Sequence, residues 1–123
     1  MRKAFILILA LIAGAGTLFA ESGTCGQDGS TVKWDLTNGV LKITGTGEMA
    51  DYSDSNKAPW YSKRSKIESV QIMSAVTHIG TYAFMDCTNL TDVNIGTGSK
   101  RTLGQGAFKN CTKLAEVNIP ATV

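Results

Sequence analysis

The sequence predicts a solenoid of short parallel β-strands alternating with short helical or 3₁₀ turns, preceded by an antiparallel β-hairpin that caps its N-terminal end. Three observations predict it. The chain copies itself at a fixed period from Ile67 onward; each copy contains a short apolar–polar alternation; and an Asn-Gly turn between two alternating segments lies upstream.

The repeat decides the architecture. Ile67-Glu-Ser-Val70-Gln-Ile72 returns 23 residues later as Leu90-Thr-Asp-Val93-Asn-Ile95, and 24 residues after that as Leu114-Ala-Glu-Val117-Asn-Ile119. The intervening halves match too: Ile79-Gly80-Thr-Tyr-Ala83-Phe84-Met-Asp-Cys87 aligns with Leu103-Gly104-Gln-Gly-Ala107-Phe108-Lys-Asn-Cys111. A period of roughly 20–29 residues with an L-x-x-L-x-L core lies in the leucine-rich-repeat range. Val70 and Ile72 alternate with Gln71, so the aliphatics face a core and Gln71 faces out. So short a strand cannot bury its apolar face alone; stacking equivalent strands from successive copies makes a parallel sheet over one continuous core. Ala83-Phe84 and Ala107-Phe108 follow a glycine and are expected to form a helical or 3₁₀ turn on the opposite wall, with the phenylalanine closing the core. The fold class is therefore a leucine-rich-repeat solenoid. Its repeats span 67–123, two full units and the start of a third, and the chain reads as truncated within that third unit.

The run Ile-Gly-x-x-Ala-Phe-x-x-Cys-x-x-Leu-x-x-Val-x-Ile resembles the BspA-like, or treponemal-type, leucine-rich repeats of bacterial and some protozoal surface proteins, over about Ile67 to Val123. The resemblance implies an extracellular array used for adhesion or recognition, and it implies no catalytic residues. One stretch departs from the pattern. Gly96-Thr-Gly-Ser-Lys100-Arg101 stands where the repeat carries Pro-x-x-Val, with Lys100 at the position of Val76 and Val123 and one residue added. The expectation is a bulged loop with looser packing between two turns of the solenoid.

Residues 21–66 form the N-terminal cap region. Val32-Lys-Trp34-Asp-Leu36 alternates as a half-buried strand does. Asn38-Gly39 is a strong hairpin signal because both residues tolerate positive φ, and Leu41-Lys-Ile43-Thr supplies the return strand. The hairpin is expected over Thr31 to Thr44, covering apolar surface and strand edge that the first turn would otherwise expose. Gly45 to Ser65 reads as a Gly-, Ser- and Asp-rich connection, with Trp60 and Tyr61 packing onto the first turn.

Residues 1–20 have the tripartite pattern of a secretory signal peptide: basic Arg2-Lys3, an uncharged apolar run from Ala4 to Phe19, and a small residue at Ala20. The run falls short of the about 20 apolar residues of a membrane span, so no stable span is expected once the signal is cleaved after Ala20. With Arg2 and Lys3 removed, the 12 basic residues fall to 10, matching the 10 acidic ones. A neutral chain lacks the basic footprint that displaces counterions from phosphates, so no nucleic-acid partner is expected. The single basic cluster, Lys63-Arg64-Ser65-Lys66, reads as a solvated loop, with a contact for anionic glycans or an acidic partner as the sharper alternative.

No catalytic, cofactor or metal constellation is legible, and the chain is read as no enzyme. His78 is the sole histidine and is expected to face solvent, since the next repeat carries Thr102 there. Asp51-Tyr-Ser-Asp54-Ser-Asn lacks the ligand spacing, glycine and closing glutamate of a calcium loop. Cys87 and Cys111 share one repeat position and read as small buried side chains; a disulfide between them stays open, as does the state of Cys25. Asn89-Leu-Thr91 and Asn110-Cys-Thr112 match the N-glycosylation pattern, which the bacterial style of the signal makes coincidental.

What remains is recognition. The candidate binding face is the outward side of the parallel sheet, with Ser69, Asp92 and Glu116 in one column and Gln71, Asn94 and Asn118 in the next. Its partner is an extracellular protein or glycan; the alternative role is an accessory or spacer domain of a larger secreted enzyme. Ile119 and Val123 are core positions with no following repeat to cover them, and the last strand offers an open edge. The mature chain is therefore expected to self-associate or fray from about Leu114. Appending further repeats with a polar cap should yield a monomer with a higher Tm by light scattering and calorimetry. A short chain that is already monomeric, with protected amides at Val117 and Ile119, would contradict the reading.

Overall fold

A computed structural model describes residues 20–98 and 101–118. Two sheets enclose the core. The first has six strands in the order β1 (Ala20–Thr24), β2 (Lys33–Thr37), β3 (Val40–Thr44), β5 (Ser69–Ile72), β7 (Asp92–Ile95) and β9 (Glu116–Asn118). The second has three short strands, β4 (Gly47–Glu48), β6 (Val76–Ile79) and β8 (Thr102–Leu103). A 3₁₀ helix over Tyr61–Lys66 leads into β5.

The first sheet is mixed. β1, β2 and β3 pair antiparallel, whereas β3, β5, β7 and β9 pair parallel and in register. In β2 the alternation places Trp34 and Leu36 in the core and leaves Lys33, Asp35 and Thr37 exposed. Thr37 pairs directly with Val40, so the connection is the two residues Asn38 and Gly39, with φ of 48° and 88°. Two consecutive positive φ values give the turn whose twist matches that of the flanking strands. β3 also acts as a repeat strand: Leu41 lies beside Val70 and Ile43 beside Ile72, and the columns continue to Val93 and Ile95. All six side chains are buried.

The wall carrying Ala83-Phe84 and Ala107-Phe108 corrects the expected helical or 3₁₀ turn. It is a chain of tight turns over 81–86 and 105–110. Alternate amides bond locally, Ala83 to the Gly80 carbonyl, Met85 to Tyr82 and Cys87 to Phe84. The amides between them cross to the next coil, Tyr82 to Gln105 at 3.1 Å, Phe84 to Ala107 at 2.7 Å and Asp86 to Lys109 at 2.8 Å. A helix would keep every amide within the coil. Tyr82 and Asp86 prevent that with φ of 55° and 66°, and their equivalents Gly106 and Asn110 repeat it at 64° and 61°. Glycine opens each wall for a separate reason. A Cβ on Gly80 would lie 1.9 Å from the Ala50 carbonyl oxygen, and one on Gly104 would lie 2.3 Å from the Thr81 nitrogen.

Inside, Trp60, Phe84 and Phe108 form a column of stacked rings, with centroids 5.6 and 5.3 Å apart and planes within 17° of parallel. They are spaced by 24 residues, so Trp60 fills the phenylalanine position of the preceding coil. Trp34 and Tyr52 meet Trp60 edge-on, and the Trp60 indole N–H donates to the Ala83 carbonyl at 2.8 Å. Each ring contact adds roughly 0.5–1.5 kcal/mol beyond its buried area.

The departure at 96–101 is resolved in an unexpected way. Lys100 lies outside the described residues, and the core position is served by Arg101, which is 3% exposed. Its Nε donates to the Val76 carbonyl at 2.8 Å, one Nη2 bond reaches the Ser74 carbonyl at 3.0 Å and a longer one Met73 at 3.4 Å, and Nη1 bonds the Gly96 carbonyl. A buried cation with no carboxylate partner among the described residues is tolerated because backbone dipoles satisfy its donors. The expected bulge falls on 99–100, outside the described residues, and the chain just after it is tied to the preceding coil through Arg101. The signal-peptide reading at 1–19, and Ile119 and Val123, also fall outside the described residues. Ala20, placed at the cleavage boundary, opens β1.

Phe84→Ala removes the middle ring of the aromatic column. The expected loss is roughly 3–5 kcal/mol in urea denaturation; a loss below about 1 kcal/mol would show that the ring carries no core load.

Candidate functional site

The in-register stacking turns single residues into rows. Ser69, Asp92 and Glu116 pair side by side across β5, β7 and β9, as do Gln71, Asn94 and Asn118. Asp92 and Asn94 are exposed, Ser69 and Gln71 are half-buried, and Glu116 and Asn118 occupy the matching backbone positions on β9. The Ser69 hydroxyl donates to the Asp92 carboxylate at 3.1 Å. The second row does not stop at the repeats. Register places Lys42 beside Gln71, Asp35 beside Lys42 and Ser22 beside Asp35. Lys42 and Asp35 therefore extend a surface that sequence reasoning confined to the repeats; the polar positions between Trp34 and Leu36, and between Leu41 and Ile43, carried that signal. Asp35 is oriented by the Thr37 hydroxyl at 2.6 Å.

His78 departs from a freely solvated side chain. It sits beside Thr102 in the second sheet, and its side chain is 16% exposed. Nδ1 lies 2.6 Å from the Thr102 hydroxyl and Nε2 lies 2.8 Å from an Asp51 carboxylate oxygen. The same oxygen accepts the Thr81 amide at 2.8 Å. That amide first, and the His78 contact second, hold the Asp51 carboxyl below its ordinary value of 3.8. Three successive coils are thus linked by one imidazole. The rest of the acidic loop forms its own turn, with Ser53 and Asn56 exchanging backbone hydrogen bonds and Lys57 3.8 Å from Asp54. No group of three or more metal-ligating side chains gathers among the described residues.

The cysteines are all free thiols. Burial pushes Cys25 and Cys87 up to about 12. Cys111 is half-buried and raised by burial as well, and its S–H donates to the Phe84 carbonyl at 3.1 Å. Thiols held protonated are poor nucleophiles, which fits packing residues. Within the basic cluster, Lys63 is 3.5 Å from Glu21 and Arg64 stacks 4.2 Å above the Tyr61 ring. The amide nitrogens of both glycosylation-like asparagines are engaged, Asn89 with the Ser65 carbonyl and Asn110 with Asp86.

A family model described as the BspA type leucine-rich repeat region matches residues 57–123. The chain belongs to the BspA-type leucine-rich-repeat family. Among solved structures, this BspA-type chain is similar to a leucine-rich repeat protein from Eubacterium ventriosum, with 38% identity and a TM-score of 0.64 over 80% of its length. It spans only 26% of that protein. No curated protein matches it. Leucine-rich repeats of this kind are typically non-catalytic binding modules. Among the described residues, no helix is long and apolar enough to cross a membrane.

Asp51 yields a pH test. A carboxyl whose pKa is lowered in the folded state contributes stability that is present above the unfolded value, near pH 3.8, and is lost as pH falls through the folded value. Asp51→Asn should therefore be less stable than the parent at pH 6, with the gap closing as acid is added below about pH 4. Urea midpoints of both proteins across that range check it; a gap independent of pH would remove the carboxylate from the account.

Proposed function

We propose that this BspA-type chain is an extracellular, non-catalytic recognition module whose stacked coils form a solenoid closed at one end by the β2–β3 hairpin. Its ligand-binding face is the outward side of the six-stranded sheet, carried by Ser69, Gln71, Asp92, Asn94, Glu116 and Asn118 and extended by Lys42 and Asp35. The observation that carries the reading is the side-by-side register of these positions across β5, β7 and β9. Repeated polar columns on a sheet suit an extended protein partner, which gains by summing many modest contacts. The signal-peptide pattern at residues 1–20 supports export, and the family supports a binding role.

Replacing Gln71 and Asn94 together by lysine changes the centre of this face without touching the core. Against a biosensor panel of purified secreted and cell-surface proteins, the parent chain should retain at least one partner. The double variant should bind that partner at least about tenfold more weakly, a loss of about 1.4 kcal/mol, with an unchanged Tm. Equal affinity of the two proteins, or a panel with no partner, would count against the assignment.

A further inference from the structure

The wall of tight turns carries a second set of columns that the sheet face does not use. Ser62, Asp86 and Asn110 are spaced by 24 residues, and so are Arg64, Thr88 and Thr112. With Ser65, these residues line an open depression of about 610 Å³, within the size range of small-molecule sites. The geometry points to a binding site for a neutral oligosaccharide that runs along the stacking direction.

Three features select that chemistry. First, donors and acceptors are mixed. The hydroxyls of Ser62, Ser65, Thr88 and Thr112 have no protein partner among the described residues, so each is open to both give and accept a hydrogen bond, as sugar hydroxyls require. Second, charge is balanced. The lining contains one cation, Arg64, and one anion, Asp86. Asp86 is held below the ordinary carboxylate range by the Tyr61 hydroxyl and then the Asn110 amide, so it stays ionised. An incoming phosphate, sulfate or uronate would meet that carboxylate, whereas a neutral polyol meets an acceptor. Third, the groups are already placed. The Asp86 oxygens are bridged by the Tyr61 hydroxyl at 2.5 Å and the Asn110 amide at 2.9 Å. Arg64 is fixed by its stack on Tyr61 and by a 3.0 Å bond to the Tyr61 carbonyl. Held side chains lose little entropy on binding.

The repeat sets the direction. Coils joined by ladder hydrogen bonds, such as Asp86 to Lys109, are about 4.8 Å apart. That step is comparable with one pyranose unit of an extended glycan, so Ser62, Asp86 and Asn110 would each serve a successive sugar. The Tyr61 ring is not a free platform for a sugar, since Arg64 covers it and Lys57 approaches it at 4.6 Å. Binding at this length of array is therefore weak, on the order of millimolar. The site shares no residue with the sheet face, and it stands whether or not that face binds protein.

Titrating the isotopically labelled chain with cellohexaose, maltohexaose and laminarihexaose, with dextran sulfate alongside, tests the site by amide shifts. At least one neutral hexasaccharide should shift the Ser62, Ser65, Asp86, Thr88, Asn110 and Thr112 amides together and saturably. Arg64→Gln combined with Thr88→Ala should weaken that binding about fivefold or more, the worth of one or two hydrogen bonds, while the amide spectrum away from the depression stays that of the folded parent. Thr112→Ala, at an exposed hydroxyl with no protein partner among the described residues, is the second variant and should weaken it about twofold or more. No response to any of the three sugars would overturn the proposal. So would shifts confined to Gln71 and Asn94, tighter binding of dextran sulfate, or unchanged affinity in both variants.

Discussion

The coil at 80–87 satisfies alternate turn-wall amides itself and gives the others to the coil beside it. That division governs the rest of the structure. The amides of Tyr82, Phe84 and Asp86 reach Gln105, Ala107 and Lys109, and a shift of one residue would leave buried donors without acceptors, at about 1–3 kcal/mol each. Register is thereby locked on one wall, while the parallel ladder from β3 to β9 locks it on the other. Between the two walls, Trp60, Phe84 and Phe108 can stack only because equivalent positions are held one above another.

The same register explains why an irregular loop does not break the array. Adding a residue near Lys100 breaks the valine position of the repeat, and the chain restores continuity with a guanidinium in place of a methyl contact. Arg101 reaches back to the carbonyls of Met73, Ser74 and Val76 on the preceding coil. Backbone carbonyls, unlike a carboxylate, are present at any coil, so the repair needs no second substitution. His78 makes a comparable tie outside the core by holding Asp51 on one side and Thr102 on the other.

The proposed function rests on columns of polar residues that the register lines up. One set of columns faces out from the six-stranded sheet and another lines the turn wall, and each is polar for a different reason. On the sheet, strand alternation puts every second residue outward. On the wall, left-handed residues such as Asp86 and Asn110 bring short polar side chains to the rim because these types tolerate positive φ. A longer array of the same family would lengthen both sets without new chemistry.

The sequence by itself determined the repeat period, the inward pairs Ile67 and Leu90, Val70 and Val93, and Ile72 and Ile95, the Asn38-Gly39 turn and the family. These are legible because they rest on local alternation, on turn residues and on self-similarity, all of which survive in one dimension. It also marked Ser69, Gln71, Asp92 and Asn94 as polar positions flanked by core aliphatics. Tertiary structure alone decided that β3 belongs to both the hairpin and the parallel ladder, which carries the outward row on to Lys42 and Asp35. It also decided that Trp60 stands in for a phenylalanine, that Arg101 is buried, that the Ala83-Phe84 wall is a chain of turns, and that Arg64, Asp86 and Thr112 share one depression. Each of these depends on which amide or guanidinium finds its acceptor on a neighbouring coil, and a hydrogen bond between residues some 24 positions apart leaves no pattern in either one's local sequence.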